Sequence, residues 1–306
     1  MMPSLHPDIQ RILEARGPRR FWTMPVDEAR AGHASAAQAG PSGPQMAEIS
    51  EVPLRGTGGE DVPVRIYRPA GATGSALVYF HGGGWVLGSI DTHDRLCRNL
   101  AEGSGATVFN VGYRLAPEHP FPAAYDDAFA VTCRVLGSGA DLGIEPGRVG
   151  VAGDSAGGNL AAAVAIGVRD LDLPRLRAQL LVYPAVDAEM TSPSYRLNLD
   201  GLFLSAEEMR WFYSHYQVDH DARDWRLSPA HAEDLSGLPP ALIVTAEHDP
   251  LRDEGEHYAL ALADRGVLSS AVRYLGTSHG FFGWSHLAEP SRQAIAQCCR
   301  WLRDSL

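Results

Sequence analysis

Long apolar runs are missing from this 306-residue chain. The longest strongly apolar stretch, Leu160 to Val168, is flanked by Asn159 and Arg169 and is far too short to span a bilayer. The opening MMPSLHPDIQRILEARG lacks an apolar core of signal-peptide type. No membrane span is expected, and a cytoplasmic location is. Cysteine is scarce. Cys97, Cys133, Cys298 and Cys299 form neither a CxxC pair nor a Cys/His zinc pattern, so they read as thiols of a reducing compartment and no metal site is expected. Positive charge is short as well. With 26 Lys+Arg against 37 Asp+Glu, the formal net charge is -11, which argues against nucleic acid as a partner. That charge also repels anionic products, weakly at physiological salt. No internal repeat is found.

What is present is an ordinary globular composition, 45% hydrophobic and 21% charged, with length for one α/β domain and an appendage. Residues 4–16 predict a short amphipathic helix with Ile9, Ile12 and Leu13 on one side. Residues 31–44, AGHASAAQAGPSGP, are small, Pro/Gly-rich and non-periodic, which predicts a mobile linker. AEISEVPLR and VPVRIYRP flank Gly58-Gly59 and predict an antiparallel hairpin.

From residue 76, short apolar runs (ALVYF, TVFNVGY, RVGVAG, QLLVYP, ALIVTAE, SAVRYLG) alternate with helix-length segments near 91–102, 122–136, 156–170, 252–265 and 289–303. Continuous apolar runs between helices predict a mostly parallel sheet covered on both faces. Residues 188–225 are too long for an ordinary connection and carry Leu202, Phe203, Leu204, Trp211, Phe212 and Tyr216. They read as an inserted helical segment that covers the end of the sheet together with the N-terminal helix. The expected organisation is a cap segment and linker over 1–45, core over 46–187, a cap insertion over 188–225, and core again over 226–306.

In a parallel sheet, ligands gather beyond the carboxyl ends of the strands. Ser155 falls at such an end, between Gly153 and Gly157, where RVGVAG gives way to an alanine-rich helix. The small neighbours let strand and helix approach through a sharp turn that strains the central residue. No Gly-Lys-Ser/Thr follows this turn, which leaves a phosphate loop poorly supported. A serine hydroxyl needs a base, and the base an orienting carboxylate. Asp249 follows the run ALIVTAEH and His279 follows SAVRYLGTS, in the order Ser, Asp, His expected for such a fold. Asp253 reads as a helix N-terminal charge, and His248, His257 and His286 as solvated or locally bonded. Gly82, Gly83 and Gly84, after His81 in VYFHGGGWVLG, can turn backbone N–H groups into a cavity unobstructed and read as an oxyanion loop. The Ala156 N–H would supply the other half.

These stretches resemble the hormone-sensitive-lipase-like carboxylesterases of the α/β-hydrolase superfamily, bacterial esterase family IV. The matching pieces are HGGGW (81–85), YRLAPEHPFPAAYDD (113–127), GDSAGGN (153–159), DPLRDEG (249–255) and HGF (279–281). The resemblance implies an α/β-hydrolase fold with a helical cap, and an ester of short to medium chain as substrate, cleaved without a cofactor. It also implies triad roles for Ser155, Asp249 and His279. Gly83, Gly84 and Ala156 then form the oxyanion hole, while His81 and Gly82 support the loop. Tyr113, Arg114 and Glu118 read as structural. Phe203, Leu204, Trp211 and Phe212 either line a substrate pocket or fasten cap to core; both readings stand. A homodimer through an exposed sheet edge is compatible with the sequence but not required by it. Two other activities stand beside ester hydrolysis. One is amide, carbamate or lactone cleavage by the same groups. The other is ligand binding without catalysis, as in the plant gibberellin receptors, which lack the histidine that is present here as His279.

Overall fold

Uncharged five-residue runs such as Ala76–Phe80 (β3) and Thr107–Val111 (β4) are completely buried, as strands covered on both faces must be. The computed structural model describes residues 4–17, 20–197, 199 and 201–306. The other strands are β1 (Glu48–Arg55), β2 (Asp61–Arg68), β5 (Val149–Asp154), β6 (Ala178–Val182), β7 (Ala241–His248) and β8 (Ser269–Ser278). Together they form one eight-stranded sheet in the order β1-β2-β4-β3-β5-β6-β7-β8. β1 and β2 make the predicted hairpin, with Glu48 opposite Arg68 and Arg55 opposite Asp61, and β2 also runs antiparallel to β4. All remaining pairings are parallel.

The period of two along each strand divides the core. Val78, Phe80, Val151, Leu181 and Ile243 point to one face, and Leu77, Tyr79, Ala152, Leu180 and Leu242 to the other. On the first face pack α4 (Ala123–Ser138), α5 (Ala156–Val168) and α7 (Arg252–Asp264); on the second, α1 (Pro7–Arg16), α3 (Asp94–Ser104) and α8 (Glu289–Ser305). Every α5 residue from Ala156 to Ile166 is buried, which explains its alanine content: only small side chains let a helix be packed on all sides. Cys298 and Cys299 are both buried on α8, and all four cysteines are free thiols.

The predicted linker over 31–44 requires correction. α2 runs from Val26 to Gln38, so 31–38 are helical and the irregular segment begins at Ala39. Alanine, the best helix former, supplies four of the eight residues from Ala31 to Gln38, whereas Pro41, Gly43 and Pro44 lie beyond the helix. Missing periodicity misled the reading, because α2 buries only Ala29 and has no apolar stripe to detect. Within 188–225 the main element is α6 (Ala206–Tyr216), started by a capping box between Ser205 and Glu208. Phe21, from the 3₁₀ turn Phe21–Thr23, lies 6.2 Å from the Trp211 ring and 6.0 Å from Phe212. The N-terminal segment and the insertion therefore meet directly over the carboxyl ends of the strands.

Candidate active site

Ser155 sits between β5 and α5 at φ 57° and ψ -120°, a strained conformation for a residue with a side chain. The turn closes because a Cβ is missing at Gly157: one built there would run into the Phe80 carbonyl. Ser155 N–H donates to Val182 O at 2.8 Å, and Asn159 N–H donates to Ser155 O at 3.0 Å, so the elbow is tied to β6 and opens the helix.

The carboxyl ends of two further strands bring their residues to it. Asp249 directly follows β7 and His279 directly follows β8. Asp249 Oδ2 is 2.7 Å from His279 Nδ1, and His279 Nε2 is 3.0 Å from Ser155 Oγ. Asp249 is wholly buried, and its other oxygen accepts the Leu251 N–H at 2.9 Å. A carboxylate only accepts, so Nδ1 carries the imidazole proton and Nε2 presents a lone pair to the serine hydroxyl. Tyr183 packs its ring 4.4 Å from the His279 ring and limits its rotation.

The glycine loop lies across the cavity. Gly82, Gly83 and Gly84 all line it beside Ser155, with φ of 125° at Gly83 and 59° at Gly84. Gly82 is committed elsewhere: its N–H donates to Asp154 Oδ1 at 3.0 Å. Ala156 opens α5, where the first N–H groups have no intrahelical acceptor. Burial, then the neighbouring His93, push the His81 imidazole down to about 3, so it is neutral at physiological pH. Its Nδ1 lies 2.9 Å from Gly82 O, its ring stacks 4.3 Å from Tyr113, and its carbonyl accepts the Tyr113 hydroxyl at 2.6 Å.

Three predicted structural residues behave as such. Arg114 forks onto Asp127 with bonds of 2.8 to 3.1 Å, Glu118 pairs with Arg30 at 2.7 Å, and Tyr113 buttresses the loop. Sequence reasoning missed Asp154. Burial would raise its carboxyl, but the attraction and hydrogen bond of His93, and the Tyr79 hydroxyl at 2.6 Å, outweigh that and hold it at about 2. Its signal was its place in GDSAGGN, one residue before the serine; His93 had none. Of the four apolar residues left open, Phe203, Leu204 and Phe212 line the cavity, while Trp211, outside its lining, stacks on Phe21 and meets His215 edge-on. His286, expected to be solvated or locally bonded, lines the cavity and meets Arg95 across 191 positions.

The cavity has about 110 Å³ of space that water centres can occupy, room for a small acyl or alkoxy group. Asp187, Glu189 and His231 could present ligand atoms within 4.8 Å of one another. Their contacts are ion pairs, His231 to Asp187 at 3.1 Å and Arg223 to Glu189 at 3.3 Å, and none of the three lines the serine cavity.

A sequence profile for the alpha/beta hydrolase fold matches residues 77–283. The chain is 43% identical to the carboxylic ester hydrolase LipN of Mycobacterium tuberculosis over 274 residues, 86% of this chain and 72% of the relative. It is 39% identical to an ethyl acetate hydrolase of Pseudomonas putida over 266 residues, 84% and 83% of the two chains. Among solved structures, a hyperthermophilic esterase of the archaeon Pyrobaculum calidifontis superposes with a TM-score of 0.90 at 41% identity, covering 98% of each chain. A thermostable Pseudomonas putida esterase gives 0.92 at 37%, covering 100% of this chain and 98% of the other.

Proposed function

This chain belongs to the hormone-sensitive-lipase-like carboxylesterases of the alpha/beta hydrolase fold, and from that premise we propose that Ser155 is the nucleophile of its ester hydrolysis. One observation carries the reading: the unbroken contact from Asp249 to His279 to Ser155, at 2.7 and 3.0 Å, ending on a strained turn. His279 Nε2 takes the hydroxyl proton as Oγ attacks the ester carbonyl. Asp249 keeps the imidazole in the reactive tautomer and stabilises its cation. The developing oxyanion is received by the Gly83, Gly84 and Ala156 amides, each such donor being worth about 10²–10³ in rate. His279 then protonates the leaving alcohol, and water activated by the same nitrogen releases the acid from the acyl-enzyme.

In the same reading, 1–45 and 188–225 act as a cap over a core of 46–187 and 226–306. The Phe21 contacts with Trp211 and Phe212 support that division. A cavity of this size favours short- to medium-chain esters, and four free thiols favour a reducing compartment such as the cytoplasm. Leu268 and Leu275, 76% and 70% exposed on and beside the edge strand β8, favour a homodimer there. The test is Ser155→Ala assayed on p-nitrophenyl butyrate. Turnover should vanish while the thermal midpoint is kept, and near wild-type turnover would end the mechanism.

A further inference from the structure

We propose that His93 is a positioning residue for the ester hydrolysis, acting through Asp154 to fix the Gly82 peptide and with it the direction of the Gly83 N–H. The inference rests on the ester-hydrolase reading and adds to it a residue outside the triad and the glycine loop.

The imidazole is held from two sides. His93 stands immediately before α3, and its carbonyl accepts the Cys97 N–H at 2.9 Å, which ties its backbone to that helix. Its Nδ1 lies 2.9 Å from Thr92 Oγ1, which closes its own turn by donating to the Ser89 carbonyl at 2.8 Å and accepting the Ser89 N–H at 2.9 Å. On the other side, Nε2 stands astride the Asp154 carboxylate, 3.2 Å from Oδ1 and 3.4 Å from Oδ2. A carboxylate only accepts, so this nitrogen carries a proton and donates it. Each of the two side chains is 11% exposed, so little water competes for the contact.

The carboxylate in turn holds the glycine loop. Asp154 Oδ1 accepts the Gly82 N–H at 3.0 Å, and a Cβ built on Gly82 would run into Oδ2, so carboxylate and loop backbone are pressed together. Gly82 N also lies 3.3 Å from His93 Nε2, but a protonated ring nitrogen has no lone pair to offer, which leaves Oδ1 as the acceptor. Beyond Gly82, His81 Nδ1 donates to the Gly82 carbonyl at 2.9 Å. The first bond fixes the peptide before Gly82 and the second the peptide after it. That second peptide is planar, and its N–H, opposite the Gly82 carbonyl, is the Gly83 N–H. The two bonds around Gly82 therefore aim one of the donors proposed for the oxyanion.

His93 sets the plane of that carboxylate. The Tyr79 hydroxyl bonds Oδ1 at 2.6 Å, whereas Nε2 reaches both oxygens. Without the imidazole the carboxylate can turn about its own bond, and Gly82, with no side chain to resist, follows it. His93, Asp154, Gly82 and Gly83 all line the cavity that holds Ser155, so the displacement falls beside the reacting atoms. Donors to an oxyanion act where the charge develops, so misaiming one lowers kcat and leaves ground-state binding nearly unchanged.

The experiment measures kcat and KM on p-nitrophenyl butyrate for the wild type, His93→Gln, His93→Met, Asp154→Asn and the double variant of His93→Met with Asp154→Asn. Glutamine keeps an N–H donor at about the reach of Nε2, and methionine fills the space without one. His93→Met should lower kcat about tenfold or more with KM within about twofold, and His93→Gln should keep at least about a third of the wild-type kcat. In the Asp154→Asn background, His93→Met should cost less than about twofold, because the route it acts through is already broken. A loss carried by KM, equal losses in the glutamine and methionine variants, or a full loss in the Asp154→Asn background each overturn the inference, while wild-type turnover leaves the esterase reading in place. One further measurement requires only the conservative variant to fold. Nitrogen NMR of protein labelled in its histidine rings should show a protonated Nε2 for His93, identified by its disappearance in His93→Gln; an unprotonated Nε2 overturns the inference as well. No turnover by the wild type overturns the esterase reading and this one with it.

Discussion

The floor of the cavity and the wall above it are built on opposite plans. The floor, where Ser155, His279 and the glycine loop meet, is held by backbone: a strained elbow, a helix packed on all sides, and glycines with no room for a Cβ. The wall is held by side chains from separate stretches, with Arg16, Phe21 and His33 from the N-terminal segment, Phe203 and Phe212 from the insertion, Arg95 from α3 and His286 from the loop before α8. Backbone-set geometry tolerates little change, because its errors fall on distances that decide reaction rate. Side-chain-set geometry can vary while the chemistry continues, and variation there alters which substrates are admitted. The floor is thus expected to govern kcat and the wall KM and selectivity.

The largest effect should come from the floor. His279→Ala should lower kcat by about 10⁴ or more with an intact fold, since base and general acid are lost together. Stopped assays at high enzyme concentration would measure it, and a loss confined to KM would break the comparison. Next is Gly157→Ala. Its methyl group would meet the Phe80 carbonyl, at a cost of about 3 kcal/mol or more and a thermal midpoint lower by several degrees. An unchanged melting curve would show that the elbow has slack.

Asp154→Asn should reduce kcat by about tenfold to a hundredfold with little change in KM, because Gly82 loses its charged acceptor and the glycine loop beside Ser155 shifts. The same variant carries a pH signature. A carboxyl held at about 2, below its unfolded value near 4, stabilises the fold fully above pH 4 and loses that contribution as pH falls toward 2. The wild type should therefore lose about 2 kcal/mol more than the variant over that interval, measured by denaturant titration. The smallest effect belongs to the wall. Phe203→Ala should raise KM about threefold to tenfold and change acyl-chain preference while kcat is nearly kept. A kcat loss as large as that of Asp154→Asn would erase the distinction.

The same contrast explains what could be read from the chain. Ser155, Asp249 and His279 were legible because each stands in a short run whose neighbours are dictated by backbone geometry at a strand end. The sheet was legible because buried parallel strands leave uncharged runs such as ALVYF. α2 was not, since a helix that buries one alanine has no stripe to betray it. Arg16, Arg95 and His286 were not either. They share no motif, and nothing in their local sequence states that folding brings them to one cavity. His93 was hidden for the same reason, its partner Asp154 lying 61 positions away.

The central claim is that Asp249 and His279 activate Ser155 for attack, and labelling by a fluorophosphonate tests it most directly. Peptide mapping after reaction should find one phosphonyl group per chain, on Ser155, formed at least a hundredfold more slowly in His279→Ala. A label on another residue, or equal labelling rates in the two proteins, would contradict the claim.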